Sequence, residues 1–339
     1  MSFLPYRIPN IDRKTHLLLD PHVIIIGAGA SKAACTVDAN GKTVPLLRNI
    51  HEALELTDSL KDYGFSEKEL ADFELLYSNV YGKAEFRDLQ KNLEKRISNY
   101  FSELMLPDEV TLYDYLVLSL TGKDAIISFN WDPFLLQAYR RNICVGNLPQ
   151  LFFPHGNVGV GLCMECLNKG YANCICPDCG KPFVDMPLLF PVGRKNYYDG
   201  SIIENEWNGA KNALKHAAGI TIWGYSAPVT DEEAFRLLTE SFAESQLQEI
   251  APVTIINLEK NRTGQLERWK DIYSERMISY CEDFRKSLLW QWPRVSLEAI
   301  FDAILQMHPR HNDKPFKEFK DLIELQNFAQ TIDEFEIHY

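Results

Sequence analysis

The sequence has no long apolar run. Stretches such as Val23 to Ile26 are far shorter than the ~20 residues that span a bilayer, so no membrane segment is expected. The N-terminal text "MSFLPYRIPNIDRKTH" lacks a basic region followed by an extended apolar core, the pattern of a secretory signal, and a cytoplasmic protein is expected. Positive charge is also short: 35 Lys and Arg against 47 Asp and Glu give a net charge of −12. That balance disfavours direct nucleic-acid binding, which needs cations to replace released counterions. Cysteine is sparse outside one segment. Five of the eight fall between Cys163 and Cys179, a clustering that argues against a disulfide scaffold and for local metal chemistry.

What is present describes an ordinary folded chain. Hydrophobic residues make up 46% and charged residues 24% of 339 positions, enough for one large α/β domain with insertions or two modest ones. Short apolar stretches alternate with helical text, and they predict strands at His22–Ile26, Ala125–Phe129, Gln150–Phe153, Ile220–Trp223 and Val253–Asn257. The expected fold is a Rossmann-like, mainly parallel sheet with helices on both faces, its ligand-binding residues at the carboxyl ends of the strands. Residues 45–121 read as a helical insertion, in which Phe86, Leu89, Leu93, Ile97, Phe101 and Leu104 recur at helical spacing. Residues 160–186 hold the cysteines. The main domain is expected to run over 1–285 and a helical extension over 286–339, packed either on the core or on another subunit. Thr230 and Glu233 read as a capping box for the helix that follows.

The first strand runs into "GAGAS", Gly27 to Ser31, where two glycines allow close backbone approach to a phosphate. The third glycine of a dinucleotide fingerprint is missing, Lys32 standing in its place, and no second strand ends in Asp or Glu about 20 residues on. A conventional dehydrogenase is therefore disfavoured. Further strands deliver Asn130 and Asp132, in "SFNWD", and His155 and Gly156, in "FPHGN". Cys163-x-x-Cys166 and Cys176-x-x-Cys179 are paired knuckles with the spacing of a structural zinc site, Cys174 being a spare for Cys176.

The order of these motifs resembles the sirtuins: GAG-x-S, N-x-D, H-G, a four-cysteine module, "GYS" at Gly224–Ser226 and "IIN" ending at Asn257. The resemblance runs from about residue 22 to 260. It implies that the glycine turn holds NAD+ for cleavage of the nicotinamide–ribose bond. It further implies that Asn130 orients the ribose hydroxyls and attacking water, that His155 accepts a proton, and that Asp132 supports the ribose or caps the loop. Gly27, Ala28, Gly29, Ala30 and Ser31 would take the phosphates, Gly224 and Ser226 the ribose-phosphate, and Asn257 the adenosine ribose.

The departures are specific. Phe129 stands where protein deacylases of the family carry Gln, "LLFPVGRKNYY" replaces their F-G-E segment, and "CTVDANGKTVPLLRN" has no clear match to their G-I-P-D-F-R. With the large insertion, the chain is more similar to bacterial sirtuin-like proteins that destroy NAD+ in antiphage defence. The resemblance thus implies an NAD+ glycohydrolase with structural Zn2+, gated by a partner protein of a defence operon, by homo-oligomerisation or by a nucleotide signal. Two alternatives stay open: an NAD-dependent protein deacylase and a non-catalytic NAD-binding assembly subunit.

Overall fold

The computed structural model describes residues 9–12, 17–46, 50–190, 202–272, 277–305 and 314–333. Its strands are β1 (His22–Ile26), β2 (Ala125–Ser128), β3 (Gln150–Phe152), β4 (Val160–Leu162), β5 (Lys169–Tyr171), β6 (Val184–Asp185), β7 (Gly219–Trp223), β8 (Val253–Ile256) and β9 (Ile278–Cys281). Six of them make a parallel sheet in the order β3-β2-β1-β7-β8-β9, and β4 is flanked by β5 and β6 in a small antiparallel sheet. β1 is buried on both faces, as a near-continuous aliphatic strand in a covered parallel sheet should be.

The chain order decides where a ligand can sit. From β1 the chain moves outward through β2 to β3, then returns to the other side of β1 and moves outward again through β7, β8 and β9. Right-handed crossovers put the helices of the two halves on opposite faces. The switch in direction lies between β1 and β7, where their carboxyl-end loops diverge and leave a crevice. Helices Leu112–Leu118 and Phe134–Arg141 pack together in the first half, and Ile202–Lys215 packs on Glu232–Ala243 in the second.

The apolar spacing over residues 86–104 resolves into a short 3-10 turn, Ala84–Phe86, and a helix, Arg87–Ser102, that buries Leu89, Leu93, Ile97 and Phe101. These side chains join the same hydrophobic core as the sheet. The C-terminal helix Leu322–Asp333 also packs on that core, through the fully buried Leu325 and Ala329. The strand β9, half-exposed at the sheet edge, has no counterpart among the expected strands.

The expected capping box at Thr230 and Glu233 does not form. Val229–Asp231 is a 3-10 turn, the helix starts at Glu232, and the Thr230 hydroxyl donates to Glu74 of the insertion (2.5 Å). Asp231 turns inward instead and is buried.

The loops leaving β1 and β7 touch backbone to backbone. Gly27 N–H donates to Trp223 O (3.1 Å) and Gly29 N–H to Gly224 O (3.0 Å). A Cβ on Gly224 would lie 2.2 Å from Ala30 N, and its φ of +63° is unfavourable for a side chain. Gly224→Ala is therefore expected to destabilise the protein by about 2 kcal/mol or more, read as a lower urea midpoint. An unchanged midpoint would contradict this packing.

Candidate active site

One cavity of about 830 Å³ lies over the carboxyl ends of β1, β2, β7 and β8, within the roughly 300–1,000 Å³ usual for ligand pockets. Its wall includes Gly27, Ala28 and Gly29, Asn130 and Asp132, His155, Gly224 and Ser226, and Asn257. The residues singled out on five separate strand ends thus share one crevice. Ala30 and Ser31 do not line it, and both are fully buried.

Ser31 is instead the hub of a hydrogen-bonded network behind the wall. Its hydroxyl donates to Asp132 Oδ2 (2.7 Å) and accepts from Asn130 Nδ2 (2.9 Å). Because that single proton goes to Asp132, the 2.7 Å contact with Tyr113 is donated by the tyrosine. The hydroxyl is then saturated and offers nothing to a phosphate. Gly27 N–H and Gly29 N–H are likewise committed to the neighbouring loop.

The same network sets the orientation of Asn130. Its amide nitrogen also faces Gly27 O (3.0 Å), an atom that only accepts, so the NH2 group points inward. The side-chain carbonyl is the atom left for the cavity. Asn157, which sequence reasoning passed over, holds this loop from the far side: its Nδ2 donates to Asn130 O (3.1 Å) and Asp132 O (2.6 Å).

Asp132 has two holds, Ser31 on one oxygen and Phe134 N–H (3.2 Å) on the other. Burial outweighs both and pushes its carboxyl up to about 6. Burial also raises the Tyr113 phenol well above its ordinary value.

On the opposite wall, His155 Nε2 lies 3.3 Å from Asp231 Oδ1, and Asp231 Oδ2 accepts from the Tyr225 hydroxyl (2.8 Å). The His155 ring packs edge-on against Phe129 (4.7 Å between centroids), which stacks on Tyr225 (4.4 Å, 9°). Gly156 has a φ of +79°, and a Cβ there would strike Pro187 O at 2.0 Å, so glycine lets the strand leaving the cysteine module cross beside the histidine. Leu189 N–H bonds His155 O (2.9 Å). The segment beyond it, residues 191–198 of "LLFPVGRKNYY", lies outside the described residues.

Asn257 sits at the end of β8, its Oδ1 accepting from Leu258 N–H (2.8 Å) and Asn261 Nδ2 (2.9 Å). Lys32 and Lys260 bring cations to the cavity wall, and Glu74 and Phe101 bring the helical insertion to it.

Cys163, Cys166, Cys176 and Cys179 hold their sulfurs within 4.8 Å of one another. Four thiolates at Zn–S distances of about 2.3 Å fit that cluster and close the coordination sphere, so the site is structural. Backbone turns shape it: Leu167 N–H bonds Cys163 O and Gly180 N–H bonds Cys176 O. Cys174 is outside the cluster, its N–H tied to Tyr171 O instead.

No family model and no curated protein matches the chain. Among solved structures, it is similar to a Sir2 homologue in complex with NAD (13% identity, covering 85% of this chain and 89% of that one, TM-score 0.38). It is also similar to a Sir2 with the inhibitor EX-527, 2′-O-acetyl-ADP-ribose and a deacetylated p53 peptide (14%, 85% and 94%, 0.37). A third is a Sir2 bound to acetylated peptide (14%, 85% and 93%, 0.36).

Zinc analysis of Cys174→Ser is expected to find the wild-type metal content, and Cys176→Ser to lose it; equal loss in both would contradict the cluster. For Asp132, the folded state keeps a proton up to about 6 that the unfolded chain releases near 3.8. Rising pH through that window therefore favours unfolding, and above it the cost is on the order of 3 kcal/mol. Asp132→Asn should match wild-type stability near pH 4 and exceed it at pH 7.5; a pH-independent difference would contradict the burial argument.

Proposed function

We propose that the chain is an NAD+ glycohydrolase that converts NAD+ and water to nicotinamide, ADP-ribose and a proton. The observation that carries this reading is the convergence of the Asn130 carbonyl and the His155 imidazole on one cavity at the β1/β7 switch point.

The chemistry asks for little acid catalysis. The pyridinium nitrogen is cationic, so the glycosidic C–N bond can break with its electron pair going to nitrogen, and nicotinamide leaves neutral. What the site must supply is a held ribose, stabilisation of the oxocarbenium-like charge, and a directed nucleophile. The Asn130 carbonyl accepts a hydrogen bond from a ribose hydroxyl or the attacking water. His155 takes the proton as the new C–O bond forms. Asp132, Ser31 and Tyr113 keep the Asn130 amide pointing inward. Ala28, Gly224 and Ser226, with the cations of Lys32 and Lys260, face the pyrophosphate and its riboses, and Asn257 the adenosine end.

Water rather than an acyl-lysine is the proposed acceptor. Phe190, just beyond the cysteine module, is packed between Tyr77 of the insertion (5.1 Å) and Trp131 (4.9 Å), and its segment lacks the F-G-E sequence with which the family's deacylases clamp an acyl-lysine peptide. The wider role, carried by the sequence resemblance, is NAD+ depletion in bacterial antiphage defence, with turnover gated by a partner protein, self-assembly or a nucleotide.

Purified protein, assayed with and without its neighbouring gene products, is expected to release nicotinamide and ADP-ribose from NAD+. Asn130→Ala and His155→Ala should each lose about 10²–10⁴-fold in kcat. Formation of O-acetyl-ADP-ribose from an acetyl-lysine peptide would replace this reading with a deacylase, and tight NAD+ binding with no turnover under any condition would replace it with a binding subunit.

A further inference from the structure

His155, Asp231, Tyr225 and Phe129 form a closed ring. A carboxylate joins the imidazole (3.3 Å) to a phenol (2.8 Å), and the phenol's ring stacks on Phe129, which meets the imidazole in a T-shaped contact. The members come from different places: the ends of β2 and β7, the loop beyond β3, and the 3-10 turn before the helix Glu232–Ala243. All are buried, at 5–8% exposure. A buried carboxylate is costly unless paired, and this one meets a donor at each oxygen.

We infer that Asp231 is the positioning residue for His155: its carboxylate fixes the imidazole's tautomer and orientation, with Tyr225 locking the carboxylate in turn. This rests on the hydrolase reading above. With the Nε2 proton directed at Asp231, the positive charge that His155 gains on accepting a second proton is balanced across the ring. Phe129 has a matching part: it fills the space beside the imidazole and holds Tyr225 in register.

The surroundings single out Asp231. The other titratable side chains on the cavity wall are Asp132, Glu74, Glu282, Lys32 and Lys260. Behind β3, Glu206 is engaged by Lys169 (2.8 Å). Among the described residues, Asp231 is the carboxylate within ion-pair distance of the imidazole.

The test uses full-length, zinc-loaded wild type, Asp231→Asn and Tyr225→Phe, with His155 resonances assigned by His155→Ala in 15N-histidine-labelled samples. In wild type the neutral ring should carry its proton on Nε2. Loss of the anion should lower the ring's titration midpoint by about one pH unit or more in Asp231→Asn. The kcat should fall at least about tenfold with KM for NAD+ nearly unchanged, and the ascending limb of the kcat pH profile should move to lower pH. Tyr225→Phe should shift both readouts in the same direction by less, and it serves alone if Asp231→Asn does not fold. An unchanged tautomer and titration midpoint, or an unchanged pH limb, would overturn the assignment. The spectra need no turnover: wild type that shows the pairing yet never consumes NAD+ would overturn the hydrolase reading and leave the pairing standing.

Discussion

The site depends on a backbone contact rather than on any catalytic side chain. At the β1/β7 switch point the Gly27–Ala30 turn lies directly on Gly224, too close for a Cβ on either loop. The contact builds the cavity floor from main chain, and it consumes the N–H groups of Gly27 and Gly29. A glycine turn of this kind would usually cradle phosphate with those donors. Here they hold two loops together, and the cavity wall gains its polar groups from side chains arriving at the neighbouring strand ends.

Those side chains arrive in two preorganised sets. Ser31 and Tyr113 fix the carboxamide of Asn130 from behind while Asn157 holds its backbone, and Asp231, Tyr225 and Phe129 surround the imidazole of His155. Each set combines buried polar groups with several hydrogen bonds or ring contacts, which makes it rigid and makes partial disruption costly. Preorganisation of this sort suits a reaction whose leaving group departs unaided, because the protein's contribution is then mostly geometry and charge stabilisation. The raised carboxyl of Asp132 shows that the arrangement works against stability near neutral pH.

Much of this was legible in the sequence, for identifiable reasons. Five of the parallel strands announce themselves as aliphatic or aromatic runs that end at Gly, Asn or His, and the knuckle spacing marks the four clustered cysteines. Other features left weaker traces. Tyr113 sits in Leu112–Leu118, a helix whose residues are all buried, and in the sequence it reads as one more apolar position. Asp231 reads as one of the acidic residues that favour the positive end of the following helix; only the fold turns it towards His155. Ser31 reads as a phosphate ligand because nothing local reveals that Tyr113, Asn130 and Asp132 converge on its hydroxyl. β9 is half-buried at an edge and lacks a full apolar run.

The central claim is spatial: the Asn130 carbonyl and the residue 155 side chain address the same sugar carbon. A crystal structure of His155→Ala soaked with intact NAD+ tests it most directly. The account requires the nicotinamide ribose between Asn130 and position 155, with the pyrophosphate over Gly224 and Ser226. NAD+ seated with that ribose away from Asn130, or outside the cavity, would contradict it.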